Sequence, residues 1–197
     1  VNHLKALSGV DSEAPAGEGF ECFVTDGARN RAKRHQGASY VASLAQGLQD
    51  ENLVLVGDYN AYEVNDGLVD VIGTIIGDAS PDDETVQPGD GTSPVTPPLT
   101  PLVYMVPNPE LAYSYIFGSQ AQVLDHIIVN EATYDALLDV RMEYAHVNAD
   151  YRKSAADAGS TDNPFRSSDH DPGVAYFMVD GFNLPDPIFS DSFEGND

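Results

Sequence analysis

The sequence predicts a mixed α/β fold of the α+β type, and three observations support this fold class. Short runs rich in β-branched and aromatic residues recur along the chain and are typical of strands. One longer segment repeats apolar residues at the three- and four-residue spacing of a helix. Hydrophobic residues make up 42% of the 197, enough to bury a core, which excludes disorder of the whole chain. We assign one domain to residues 1–180 and an acidic tail to residues 181–197.

The N-terminal part is predicted to contain a strand, a loop, a helix and a second strand, in that order. Residues 1–5 have the character of a strand end, and a glycine-containing loop extends to about residue 30. A helix is expected from Arg31 to about residue 48. Its apolar face consists of Ala38, Val41, Ala42, Ala45 and Leu48. The continuous apolar run 53–56 is typical of a strand covered on both faces.

The rest of the chain alternates polar segments with strand-like runs. Six prolines between residues 78 and 101 exclude a helix or an inner strand there. The acidic residues Asp82, Asp83, Glu84 and Asp90 could hold structural Ca²⁺, but a solvated charge run fits their spacing better. Strands are predicted at 102–106, 113–117, 123–129, 140–147 and 173–179, with a short helix at 131–138. A polar loop is expected at 148–168, and the tail is expected to be extended or loosely docked.

The chain is strongly acidic, with 9 Lys and Arg against 32 Asp and Glu and a formal net charge of −23. This argues against charge-driven nucleic-acid binding, because phosphate affinity comes from Lys and Arg that release counterions. It does not exclude an enzyme that meets phosphate through a divalent cation, since carboxylates hold such a cation. No run approaches the ~20 apolar residues of a spanning helix, so no membrane partner is expected. The acidity also fits a highly soluble, secreted protein.

Cys22 is the only cysteine of the sequence. It cannot form an intrachain disulfide, and a zinc–thiolate site is not supported. Two interpretations stay open: a small buried side chain, or half of a bridge to a cysteine outside this sequence.

Three short segments share one pattern, in which an apolar strand runs directly into acidic or amide residues. The segment 53–60 carries Asp58 and Asn60, the segment 123–128 carries Asp125, and the segment 167–176 carries Asp169 and His170. Carboxylates are costly to bury inside a sheet but are readily presented at its rim, where ligand sites usually lie. Each segment alone is a weak signal, but the three together in this order are far more specific.

Together these segments resemble the endonuclease/exonuclease/phosphatase superfamily, and within it the secreted bacterial extracellular nucleases. The resemblance covers the chain to about Val179, and it is carried by residues 1–5, 30–36, 56–62, 113–117, 124–127 and 168–172. It implies the deoxyribonuclease I-like fold, a four-layered sandwich of two packed β-sheets flanked by helices. It also implies secretion, a DNA substrate or an RNA one, and Mg²⁺, Mn²⁺ or Ca²⁺ as the cofactor.

The resemblance also implies roles for individual residues. Asp58 and Asn60 match the pair that holds the attacking water and contacts the scissile phosphate, and Asp58 is also expected to bind the metal. Asp169 matches a metal-coordinating carboxylate, and His170 matches the histidine beside the phosphate. Asp125 matches the carboxylate that orients this histidine. His3 matches a second histidine that contacts the phosphate and serves as a general acid, whereas His126 is expected to be structural.

The roles agree with the chemistry of phosphodiester hydrolysis, in which negative charge develops on the phosphoryl and leaving oxygens. Catalysis then consists mainly of positioning and cationic stabilisation. An Asp–His pair sets the tautomer of the imidazole and raises its pKa. Three interpretations are carried forward: a nuclease, a phosphatase or phosphodiesterase of the same superfamily acting on small phosphates or lipid headgroups, and a non-catalytic binding remnant.

Two smaller features could contact a substrate. A basic cluster begins the predicted helix and contains Arg29, Arg31, Lys33 and Arg34. Arg31 and Arg34 are the candidate phosphate contacts of this cluster, and the alternative is a solvated helix start that balances nearby acids. Tyr113 and Tyr115 could present their rings to a base, although aromatic residues at alternate strand positions usually pack.

One departure from the family pattern concerns the N-terminal half of the domain. The superfamily's early metal-binding Glu, and an Asn before it, have no counterpart ahead of His3. We therefore expect residues 1–180 to be the C-terminal part of such a domain, and the chain alone to be inactive or nearly so.

Overall fold

The structure is a computed structural model that describes residues 1–151 and 167–179. These residues form a mixed α+β fold, which confirms the expected class at that level. The described α-helices are α1 (Asp26–Gln46), α2 (Val71–Ile76) and α3 (Glu131–Asp135), and short 3₁₀ helices lie at Asp82–Glu84, Leu102–Met105 and Pro109–Leu111. The described strands are β1 (Asn2–His3), β2 (Val54–Asp58), β3 (Thr100–Pro101), β4 (Tyr115–Phe117), β5 (Gln120–Gln122), β6 (Asp125–Val129), β7 (Leu137–Tyr144) and β8 (Gly173–Val179). Most of the predicted 148–168 loop and the predicted tail lie outside the described residues.

The central sheet has four strands in the order β1-β2-β6-β3. Strand β1 runs parallel to β2, whereas β6 is antiparallel to both β2 and β3. Pro101 lies in the edge strand β3, where a missing N–H costs no ladder hydrogen bond. Two antiparallel pairs, β4–β5 and β7–β8, form separate small sheets.

Two apolar cores cover the central sheet. Residues of α1 and α2 pack with Ile128 of β6 in the first core. The second core contains Val129 of β6 and Met142 and Tyr144 of β7. Because successive strand residues point to opposite faces, Ile128 and Val129 pack in cores on opposite faces of the sheet. Helices α1 and α2 therefore lie on one face of the sheet and the β7–β8 pair on the other.

Helix α1 begins earlier than predicted, at Asp26 rather than Arg31. The hydroxyl of Thr25 accepts a hydrogen bond from the N–H of Ala28 at 3.1 Å, and Asp26 follows in the first turn. This N-cap satisfies a backbone donor that has no partner within the helix, and the Asp26 charge favours the same helix end. The apolar face was predicted well, since Ala38, Val41, Ala42 and Ala45 are buried, but Leu48 lies beyond the helix end and is exposed.

The elements that differ from the sequence-based expectation include a segment predicted as a strand and a helix that was not predicted. The segment 102–106, predicted as a strand, contains a 3₁₀ helix at Leu102–Met105. Its apolar run fits the second core in either conformation, so composition did not distinguish them. No element was predicted for α2, because all six of its residues are buried and such a helix shows no polar face.

Three further observations settle smaller questions from the sequence. The Asp90 side chain is fully buried and accepts hydrogen bonds from the N–H of Asp70 and the hydroxyl of Thr85, so it is not part of a solvated charge run. Cys22 is an exposed thiol, so the buried interpretation is wrong. Within the described ranges, no helix combines the length and the hydropathy needed to cross a bilayer.

Candidate active site

Three of the candidate residues form one row across the central sheet. His3 of β1 is paired with Asp58 of β2, and Asp58 is paired in turn with Asp125 of β6. Directly paired residues of neighbouring strands present their side chains on the same face of a sheet. The Nε2 atom of His3 lies 3.5 Å from Oδ2 of Asp58, and the His3 side chain is 78% exposed. Strand register therefore brings an imidazole and two carboxylates together at one end of the sheet.

Asn60 lies in a tight turn directly after β2. Its φ is +49°, in the left-handed region that asparagine tolerates better than most residues. Its backbone N–H donates to Oδ1 of Asp58 at 2.7 Å, and its Nδ2 donates to Oδ2 of Asp58 at 2.9 Å and to the carbonyl of Leu4 at 3.1 Å. Both N–H bonds of the amide thus have acceptors within the chain. Asn60 orients the Asp58 carboxylate, and contact with a phosphate would require one of these bonds to be given up.

Asp125 and His170 form a close carboxylate–imidazole pair. The distance between Oδ2 of Asp125 and Nδ1 of His170 is 2.6 Å, and both side chains are about one quarter exposed, at 24% and 22%. The hydrogen bond that Asp125 accepts raises the pKa of His170 above its ordinary value, and burial partly offsets this effect. The charges of Asp58 and Asp169 act in the same direction as Asp125. Because Nδ1 faces Asp125, Nε2 is the ring nitrogen that can meet a substrate.

Residues that sequence reasoning did not assign to the site hold this pair in place. The Ser114 hydroxyl accepts hydrogen bonds from the N–H groups of Leu124 and Asp125, each at 3.1 Å. The Tyr144 hydroxyl donates to the carbonyl of Asp125 at 2.7 Å. The Asn148 side chain donates to the carbonyl of His170 at 2.8 Å. These are ordinary polar residues that lie 11 to 22 positions from the Asp125 or His170 groups they bond, so no local signal marks them.

The donor set of the site fits a hard divalent cation. Ligand atoms of Asp58, Asp125 and His170 lie within 4.8 Å of one another. Burial raises the pKa of Asp58, and the nearby charge of Asp125 adds to this effect. A cation would offset both contributions, because it favours the ionised carboxylates. Since His170 already bonds Asp125, the carboxylate oxygens are the groups that suit Mg²⁺, Mn²⁺ or Ca²⁺.

A single cleft of about 870 Å³ contains six of the candidate residues: His3, Asp58, Asn60, Asp125, Asp169 and His170. Asp169 is exposed within it. The loop 6–11 lines one part of the cleft, and Tyr115 and Phe117 of β4 line another. The structure thus brings together residues that are spread from position 3 to position 170.

The two arginine candidates do not line this cleft. The Arg34 side chain is 1% exposed, and its Nη1 donates to the carbonyls of Lys5 and Asn60, each at 2.7 Å. Its Nη2 lies 3.7 Å from Oδ2 of Asp66. The Arg34 guanidinium is therefore an internal brace, which corrects its assignment as a phosphate contact. Arg31 likewise uses Nη1 within the chain, donating to the carbonyl of Val10 at 2.6 Å.

The sequence analysis also made predictions for His126, Tyr113 and Tyr115, which lie in or near the site. His126 is 2% exposed, and its Nε2 lies 2.8 Å from the carbonyl of Ala61, so its predicted structural position is confirmed. Tyr113 packs its ring on His146, with centroids 4.3 Å apart. Tyr115 instead contacts the His170 ring, with centroids 4.7 Å apart.

Comparison of the chain with protein-family models, with curated proteins and with solved structures finds no match.

Proposed function

We propose that this protein hydrolyses phosphodiesters with a divalent cation, as a nuclease of the deoxyribonuclease I-like superfamily. The observation that carries the proposal is the 2.6 Å pair of Asp125 and His170 in the same cleft as Asp58. An orienting carboxylate, an imidazole of raised pKa and a second carboxylate beside them are the groups that such a reaction needs. The net charge of −23 agrees with an exported protein, and we propose an extracellular location.

Each side chain has a distinct task in this proposal. His170, held by Asp125, stays protonated to higher pH than a free histidine and can place positive charge or a proton beside a phosphoryl oxygen. Asp58, oriented by Asn60, accepts the proton of the attacking water. His3 is largely exposed beside Asp58 and can meet the leaving oxygen.

Asp58 and Asp125, whose ligand atoms lie within 4.8 Å of each other, would hold the cation, and Asp169, which the resemblance assigns to the metal, lines the same cleft. When bound, the cation supplies charge neutralisation for the phosphoryl oxygens and the leaving group. Mg²⁺ needs only one or two protein carboxylates, because water and substrate phosphate complete its coordination. Three carboxylates in one cleft therefore suffice.

The test uses the full-length protein in which this sequence occurs, because the chain alone is expected to be inactive or nearly so. Plasmid DNA and bis(p-nitrophenyl) phosphate are the substrates. We expect hydrolysis with Mg²⁺ or Mn²⁺ that EDTA abolishes. His170→Ala and Asp58→Asn should each lower the rate by about 100-fold or more, since each removes a group that acts in the transition state. Asp135→Asn, at an exposed carboxylate at the end of α3, is the matched control and should leave the rate unchanged.

Other outcomes of the same assays would favour the phosphatase interpretation or the binding-remnant interpretation. Activity confined to a small phosphomonoester or an inositol phosphate would favour the phosphatase alternative over the nuclease. Absence of any metal-dependent hydrolysis, together with an unchanged Tm on adding Mn²⁺, would overturn the enzymatic proposal and favour a binding remnant.

A further inference from the structure

The cleft has an aromatic wall that the catalytic proposal does not use. Tyr115 and Phe117 lie two residues apart on β4, and their rings are nearly parallel, with an interplanar angle of 14° and centroids 6.5 Å apart. Both residues line the cleft that contains His170. The Tyr115 ring also lies next to His170, so this wall begins beside the proposed phosphate position.

Packing does not account for this pair. Phe117 is 66% exposed, which leaves much of an apolar ring in contact with solvent. Among the described residues, neither ring belongs to the two apolar cores. An exposed aromatic ring that borders a polar cleft is a typical feature of a ligand site.

Amide side chains accompany the rings on the same face of the β4–β5 pair. Gln122 is paired with Tyr115, and Gln120 is paired with Phe117. Cross-strand partners project from the same side of a sheet, and Gln122 also lines the cleft. Aromatic faces next to carboxamides are suited to a planar heterocycle, which stacks on the rings and hydrogen-bonds through its edge.

Charge alone does not supply affinity for a nucleic acid here. The net charge is −23, and the three arginines of the basic cluster at the start of α1 are engaged within the chain. Arg34 is buried, Arg31 bonds the carbonyl of Val10, and Arg29 pairs with Asp26 at 2.8 Å. Stacking of a base does not depend on the charge of the protein and therefore offers affinity that such an acidic surface otherwise lacks.

We propose that Tyr115 and Phe117 form a stacking subsite for an unpaired nucleobase, placed next to the phosphate position at Asp58 and His170. This inference rests on the proposed function and extends it to a substrate class, single-stranded nucleic acid or an unpaired stretch of it. A base within a duplex has both faces covered by its neighbours, so only an unpaired base can lie on these rings.

The test measures binding without turnover. A single-stranded trinucleotide that contains 2-aminopurine is titrated in EDTA, and stacking on the rings quenches its fluorescence. We expect Phe117→Ala to weaken binding about tenfold and to remove the quenching, because one stacking partner is lost. Phe117→Trp should retain both signals. Tyr40→Ala is the matched control, since Tyr40 is 67% exposed on α1 and does not line the cleft.

The binding and quenching results distinguish a failure of the stacking subsite from a failure of the proposed hydrolysis. Loss of quenching in Phe117→Ala supports the subsite even if the protein hydrolyses no phosphodiester. Binding that stays within about twofold of the unsubstituted protein would overturn the subsite even if metal-dependent hydrolysis is found. Equal affinity for the same probe in a fully paired duplex would overturn the preference for unpaired bases.

Discussion

The hydroxyl oxygen of Ser114 accepts a hydrogen bond from the backbone N–H of Asp125 at 3.1 Å. The carbonyl of the same serine accepts the N–H of Asp171 at 2.7 Å. Ser114 is fully buried, so one residue anchors both the strand that carries Asp125 and the loop that carries His170. This shared anchor explains how two side chains 45 positions apart meet at hydrogen-bond distance.

Ser114→Ala should loosen this arrangement. The N–H groups of Leu124 and Asp125 lose their acceptor at a buried site, which costs about 1–3 kcal/mol. The pKa of His170 should fall toward its ordinary value, because Asp125 is held less well. Urea unfolding measures the loss of stability, and an NMR titration measures the pKa of His170.

Ser43→Ala is the control for that substitution, since Ser43 is exposed on α1 and its hydroxyl donates to the carbonyl of Ser39 in the same helix. A Ser114→Ala protein in which the His170 titration is unaltered would contradict the positioning role, whatever the change in stability.

The Asp125–His170 pair should make stability depend on pH. The pKa of His170 is raised in the folded state, so the folded protein holds the proton more tightly than the unfolded chain. The stabilisation is therefore fully present below the unfolded value of about 6.5 and is lost as pH rises through the raised folded pKa. Asp125→Asn removes the carboxylate charge, so its unfolding free energy should change less over this range.

Urea midpoints measured from about pH 5 to pH 9 test this dependence. Asp139→Asn, at an exposed position of β7, serves as the control. Parallel pH profiles for Asp125→Asn and the unsubstituted protein, measured without metal, would show that another group is responsible.

Gly57→Ala should separate β1 from β2. Gly57 has a φ of +151°, and a Cβ built there would overlap the backbone of Asn2. The substitution should cost about 1–3 kcal/mol in unfolding free energy. It should also move His3 away from Asp58, since these residues are paired one position further along.

Chemical denaturation and the NMR shifts of the His3 ring report these two effects. Gly17→Ala provides the comparison, because open space surrounds its Cβ position and little change is expected. Equal stability of the two variants would disprove the close approach at Gly57.

Arg34→Ala should be strongly destabilising. It leaves the carbonyls of Lys5 and Asn60 without their donor and removes the cation nearest to Asp66. Removing one partner of a buried ion pair costs about 3–5 kcal/mol. Arg34→Lys should not restore the stability, because an ammonium group lacks the planar set of N–H donors of the guanidinium.

Lys33→Ala, one residue earlier and exposed, should change unfolding free energy by no more than about 0.5 kcal/mol in urea unfolding. If both variants unfold at the same urea concentration, Arg34 is not the internal brace that its hydrogen bonds indicate.

Several features of this protein were predictable because they depend on neighbouring residues. The face of α1 follows from apolar residues at helical spacing, such as Ala38 and Val41, and the run before Asp58 is recognisable as a strand. Helix α2 and the 3₁₀ helix at Leu102–Met105 were missed, because uniformly buried or short apolar runs carry no periodicity that distinguishes helix from strand.

Local sequence pattern identifies the side chains near the strand ends, including Asp58, Asn60 and Asp125, because polar residues that interrupt an apolar run mark those ends. The contact between His170 and Asp125 and the burial of Arg34 become apparent only in the folded chain. Helix spacing and caps depend on residues within a few positions of one another. By contrast, strand register and anchors such as Ser114 and Asn148 join segments far apart in the chain.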